Sequence, residues 1–146
     1  MIRCSLILCG LSLVAAGQLR AQVDVERLVD VLAIKETGTR WTGRPGPVGE
    51  LSAWQITEPV WREHMAPRPY DEARDPALAR ACAVAHVRWL ITQIERRGQP
   101  ATPERVATCW HFGPGHARRP SQYGADVANL YEERRLANAG TSAPTP

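Results

Sequence analysis

The sequence predicts a mainly α domain with one small loop or hairpin insert. Three observations support that fold class: apolar residues recur at helical spacing after Asp24, Asp75-Pro76 and Thr102-Pro103 mark helix starts, and residues 39–49 are rich in glycine and proline. The first helix opens at Asp24 as N-cap, and Val25, Leu28, Val29, Leu32 and Ala33 give it one apolar face. Gly38 ends it. The insert follows, with Gly43, Pro45, Gly46, Pro47 and Gly49, and residues 50–56 alternate weakly enough to form a short strand. Thr57 with Pro59 opens a short helix through Val60 and Trp61, and Pro67, Pro69 and Asp71 mark a loop. The longest helix begins at Asp75-Pro76 and stops before Gly98; Leu78, Ala81, Cys82, Val84, Ala85, Trp89, Leu90 and Ile94 would cover more than half its circumference, so it should lie centrally. A further helix runs from Thr102-Pro103 to near Trp110, a turn occupies residues 112–115, and a last helix after Pro120-Ser121 carries Tyr123, Val127, Leu130 and Tyr131.

The chain has 146 residues, enough for one domain. With 44% hydrophobic and 23% charged residues it can build a packed core. Residues 1–21, with Arg3, an apolar run over 4–16 and a small-residue stretch ending at Ala21, read as a secretory signal peptide, or else as a retained N-terminal anchor. The run is shorter than the ~20 apolar residues that a membrane span needs. Residues 22–137 then form the domain, and residues 138–146, which end Pro-Thr-Pro, a disordered tail. Export would place the domain in the periplasm or outside the cell. Removal of Arg3 and Arg20 leaves 16 basic against 15 acidic residues, a balance that implies no nucleic-acid partner. No stable membrane insertion is expected, and the domain is expected to be a monomer.

Cys82 and Cys109 remain after processing, 27 positions apart. A bond between them in an oxidising compartment would contribute roughly 3–4 kcal/mol in the chain-entropy model. The alternative is two buried thiols.

No metal site is expected, because His64, His86, His111 and His116 lack a paired ligand spacing. Nucleophile elbow, phosphate loop and dinucleotide fingerprint are all missing, so no cofactor is expected. A single placed carboxylic acid remains. Continuing the apolar face of the first helix brings Glu36 to its buried end, where a carboxylic acid can protonate the leaving oxygen in glycoside cleavage. Periodicity alone favours a helix-end residue ion-paired with Arg40 or Arg44. Glu50, fourteen positions on, is a possible second carboxylate, acting as base or electrostatic stabiliser, or an exposed hairpin charge. Five tryptophans stand against one phenylalanine, and Trp41, Trp54 and Trp110, in or beside the loops, offer indole faces on which sugar rings stack. Trp61 and Trp89 fit the core.

The order of short motifs adds to this. Ala33-Ile34-Lys35-Glu36-Thr37, then Gly49-Glu50-Leu51-Ser52-Ala53-Trp54-Gln55-Ile56-Thr57, then Trp110-His111-Phe112-Gly113-Pro114-Gly115 and the helix from Tyr123 to Tyr131 resemble the lysozyme-like superfamily, in particular soluble lytic transglycosylase domains. In that family a helix ends in Glu-Ser, a Gly-x-x-Gly-Leu-Met-Gln-Ile/Leu segment follows, and Tyr-Asn-Ala-Gly-Pro-Gly precedes a tyrosine-bearing final helix. The resemblance implies a lysozyme-like fold in which the insert forms one wall of a cleft. It implies that Glu36 is the catalytic acid, that Ser52, Trp54 and Gln55 line the cleft, and that Trp110, His111, Gly113 and Tyr123 bind substrate.

Several positions depart from the family pattern, and three of these departures matter most. Thr37 replaces serine and keeps the hydroxyl, Ser52 stands where glycine is usual and adds a β-carbon, and His111 replaces the asparagine beside the aromatic residue. The activity implied is cleavage of the β-1,4 link between N-acetylmuramic acid and N-acetylglucosamine in peptidoglycan glycan strands, with a 1,6-anhydro product. Two alternatives stay open: a lysozyme- or chitosanase-like hydrolase that uses Glu50, and an inactive peptidoglycan-binding module.

Overall fold

The computed structural model describes residues 22–38 and 41–141. The predicted signal peptide and residues 142–146 of the predicted tail lie outside the described residues. Five helices make up the fold: α1 (Val25–Thr37), α2 (Glu58–Met65), α3 (Pro76–Arg96), α4 (Pro103–Phe112) and α5 (Gln122–Thr141), with 3-10 turns at Tyr70–Arg74 and Pro114–His116. The chain is therefore mainly helical, as expected. Among the described residues, antiparallel pairing is confined to one bridge, Leu51 with Ile56, so the expected strand over 50–56 is only the two ends of a tight turn.

Local chemistry sets most helix boundaries. Asp24 accepts the Arg27 N–H at 3.1 Å, Asp75 accepts the N–H groups of Ala77 and Leu78 at 2.9 Å each, and Thr102 accepts that of Arg105 at 3.2 Å. Each side chain occupies donors that a helix start would leave open. Ser121 does the same for α5, its hydroxyl accepting the Gly124 N–H at 2.9 Å. At the other end α5 continues to Thr141 and takes in four residues assigned to the predicted tail. Residues 132–139 of that helix are exposed throughout, so no apolar periodicity marked them in the sequence.

Helix α3 is central, packing against α1, α2, α4 and both 3-10 turns. Its buried stripe is narrower than expected: Ala79, Cys82, Ala83, His86, Val87, Leu90 and Ile94 are buried, whereas Ala81 is exposed and Leu78, Val84, Ala85 and Trp89 are only partly covered. Helix α1 contributes Leu28, Val29, Val31 and Leu32, and Trp61 from α2 is fully buried. The tightest helix pair is α4 with α5, where a β-carbon on Gly124 would overlap the Thr108 hydroxyl and the Glu104 carbonyl. That glycine lets the two backbones meet. Cys82 and Cys109 are both buried free thiols, and burial pushes Cys82 up to about 12. No helix among the described residues is long and apolar enough to cross a membrane.

Candidate active site

Helix α1 delivers Glu36 in its last turn, before Gly38 reverses the chain with a positive φ of 72°. The side chain is half-buried. One carboxylate oxygen, Oε1, receives two donors from different helices: the Tyr123 hydroxyl of α5 at 2.5 Å and the Trp110 indole N–H of α4 at 3.2 Å. Burial first, and then the hydrogen bond and charge of Glu36, push the Tyr123 hydroxyl far above the usual phenol range, so it stays protonated and donates. Among the described residues Oε2 has no hydrogen-bond partner. No ion pair joins Glu36 to Arg44, and Arg40 lies outside the described residues.

An ion pair sets the register of the acid against its donor. Lys35 Nζ lies 2.7 Å from Asp126 Oδ2, joining the neighbour of Glu36 to a residue one turn beyond Tyr123. The Lys35 ammonium also lies 5.7 Å from the centre of the Tyr123 ring.

The insert is tied to the same helix end. Thr37 Oγ1 lies 3.1 Å from the Ala33 carbonyl and 3.2 Å from the Ala53 carbonyl, so its hydroxyl bridges α1 and the turn. Within the turn Ser52 has φ 71° and Gln55 φ 49°. Positive φ at Ser52 is the conformation in which glycine is unstrained. The Ser52 side chain is buried, not set in a cleft wall, and its oxygen accepts the Trp54 N–H at 3.4 Å.

Trp54 is turned inward, only 8% exposed, with its indole N–H donating to the Val29 carbonyl at 2.8 Å. It packs behind the turn and presents little ring face to solvent. Gln55 Nε2 donates to the Ser52 carbonyl at 3.0 Å, while its Oε1 and the Glu50 carboxylate fill the space that a β-carbon on Gly46 would need. Glu50 accepts the Val48 N–H at 2.9 Å, so its carboxylate is engaged within the insert. Trp41 is likewise held locally, donating to the Arg44 carbonyl at 3.1 Å.

The turn after α4 supplies the rest. Gly113 ends the helix with φ 84°, and its N–H donates to the Cys109 carbonyl at 2.8 Å. His111 is exposed and stacks on Tyr123, with ring centres 4.4 Å apart and planes 17° from parallel. Phe112 meets His111 edge-on at 4.6 Å and is 48% exposed. The fold thus gathers Glu36, Trp110, His111 and Tyr123 into one cluster. Ser52, Trp54 and Gln55 sit in the turn that Ala53 ties to Thr37.

Sequence reasoning missed two features. Tyr70, in an unexpected 3-10 turn, places its hydroxyl 2.7 Å from the Ile56 carbonyl and 2.8 Å from that of Gly49, fastening the insert; burial pushes that hydroxyl up. Behind Trp110 lies a second aromatic layer. His86 meets Trp110 edge-on at 5.4 Å, stacks on Trp89 at 5.3 Å, and has Nδ1 2.9 Å from His64 Nε2. Burial, then the neighbouring His64, pushes His86 down to about 4, and burial also lowers His64. The separation of these histidines along the chain carries no signal, because only the packing of α2 on α3 brings them together.

Comparison with protein-family models, curated proteins and solved structures finds no match to this chain.

Proposed function

We propose that the domain cleaves the glycan strands of peptidoglycan as a lytic transglycosylase, with Glu36 as its one acid and base. The observation that carries this reading is the pair of donors on a single oxygen of Glu36. A carboxylic acid whose carbonyl oxygen already accepts two hydrogen bonds holds its proton on the other oxygen, and among the described residues Oε2 has no partner. As that proton leaves for the glycosidic oxygen, negative charge grows on the carboxylate and both bonds to Oε1 strengthen. The substrate's own acetamido group would stabilise the positive charge on the sugar. Glu36 would then accept the proton of the 6-hydroxyl, closing the 1,6-anhydro ring.

The Val48 N–H on Glu50 supports this one-acid reading over a two-carboxylate hydrolase, since the second carboxylate is already committed to the insert. His111, stacked on Tyr123, and Phe112, which meets His111 edge-on, are both exposed and suit the apolar face of a sugar ring.

Mass spectrometry of fragments released from purified peptidoglycan tests the reaction. Anhydro ends are expected from the wild-type protein and none from Glu36→Gln, which keeps the shape and removes the proton. Reducing ends would assign the cleavage to water, and wild-type turnover by Glu36→Gln would sink the assignment of the acid.

A further inference from the structure

We propose that His64, His86 and Glu63 form a binding site for a divalent transition metal of the zinc type, in the layer behind Trp110. The three side chains each offer one ligand atom, and these atoms all lie within 4.8 Å of one another. Two of them are already at coordination spacing. His64 Nε2 and His86 Nδ1 are 2.9 Å apart, whereas two nitrogens at ~2.0–2.1 Å from a tetrahedral zinc are ~3.3 Å apart, so a few tenths of an ångström admit the ion. The Glu63 carboxylate is exposed, can swing in as third ligand, and leaves the fourth position to water.

The ligands are differently held. His86 is 8% exposed and fixed by stacking on Trp89 and edge contact with Trp110, which orients one rigid ligand. His64, on α2, is half-buried and gives an ion its way in. One ring now donates its N–H to the other. On metal binding that proton moves to the donor ring's second nitrogen, both facing nitrogens present lone pairs, and no net proton is released. Two imidazoles and one carboxylate select zinc, nickel or copper over calcium or magnesium, which take oxygen ligands. The site is independent of the glycosidase reading.

Calorimetric titration of the EDTA-treated mature protein with Zn²⁺ tests it. One Zn²⁺ per chain is expected, with affinity roughly tenfold or more weaker in His64→Gln and in Glu63→Gln, and unchanged when His111 and His116 are both replaced by asparagine. Both ligand variants change side chains with solvent access, and far-UV circular dichroism matched to wild type confirms their fold. Cu²⁺ gives a second readout: tryptophan fluorescence should be quenched in the wild type through Trp89 and Trp110, and spared in His64→Gln. The proposal is overturned if no Zn²⁺ binds up to about 1 mM, if both ligand variants bind as wild type does, or if binding disappears in the His111 and His116 variant instead.

Discussion

Replacing Tyr123 with phenylalanine isolates the stronger of the two donors on Glu36. The ring stays, with its stacking on His111, and only the hydroxyl 2.5 Å from Oε1 is removed. A hydrogen bond to a charged acceptor contributes about 1.5–3 kcal/mol, and one between neutral groups about 0.5–1.5 kcal/mol. In the proposed reaction the carboxyl is neutral before proton transfer and negative after it, so the bond would favour the transition state by the difference, about 1–2 kcal/mol. At 1.36 kcal/mol per decade that is a loss of roughly 5–30-fold in turnover. Binding of glycan, which the hydroxyl does not face while it points at Glu36, should change little. The assay is the initial rate of soluble-fragment release from peptidoglycan at several substrate concentrations, with thermal unfolding measured on the same samples. Wild-type kcat in Tyr123→Phe with an unchanged Tm would refute the reasoning, and so would a loss confined to KM.

Three further outcomes are expected. Gly124→Ala should destabilise the fold by about 1–3 kcal/mol, read by urea unfolding, because its β-carbon meets the Thr108 hydroxyl and the Glu104 carbonyl at the α4–α5 contact; a neutral result would mean that the helices separate freely there. Cys82 and Cys109 should be found as free thiols by intact mass after alkylation in denaturant, and should resist iodoacetamide in the native protein, since both are buried and Cys82 is pushed up to about 12; a mass two hydrogens lower before reduction would show a disulfide. The Lys35 and Gln122 hydrogen bonds hold the Asp126 carboxyl below its usual range, so its contribution to stability is present above the unfolded value of ~3.9 and is lost as pH falls through the lowered folded value. The Tm gap between wild type and Asp126→Asn should therefore close in acid, and a gap independent of pH would exclude the ion pair as its source.

Helix ends were legible in the sequence because their determinants are local. Asp24, Thr57-Glu58-Pro59, Asp75-Pro76 and Thr102-Pro103 act within one turn of chain, and the structure begins helices at each. Glu36 was also legible, from the apolar period that precedes it. What periodicity could not supply was the company it keeps: Tyr123 lies 87 positions away and Trp110 74, so their donation to one oxygen depends on how three helices pack. The ordered motifs pointed to those residues by resemblance alone. Trp54 shows the limit of reading a loop tryptophan as a sugar platform. Its ring is turned inward by a hydrogen bond to the Val29 carbonyl, a long-range contact with no trace in neighbouring residues. The breadth expected of the α3 apolar face failed for a related reason, since alanines at 81 and 85 are helix formers whether or not they are covered.

The same contacts that fasten the helices set the geometry around Glu36, the proposed acid. Glu36 comes from α1, and its donors come from α4 and α5, so the site exists only while three separate elements hold their relative positions. Two of the pairings have a tie next to a site residue: Gly124 follows Tyr123 and brings α5 against α4, while Lys35 precedes Glu36 and pairs with Asp126 on α5. A second tie closes the far end of α1, where the Asp24 N–H donates to the Tyr131 hydroxyl at 3.0 Å. Displacement of a reacting group by about 1 Å can cost on the order of a hundredfold in rate. Substitutions at Gly124 or Asp126 should accordingly lower turnover under conditions where the protein remains folded. Equal destabilisation introduced at Val87 or Ile94 in the central helix, which bears none of the three residues, should leave the rate of the folded fraction intact. A common loss of rate in both groups would place the control in global stability and not in the alignment of Tyr123 and Trp110 on Glu36.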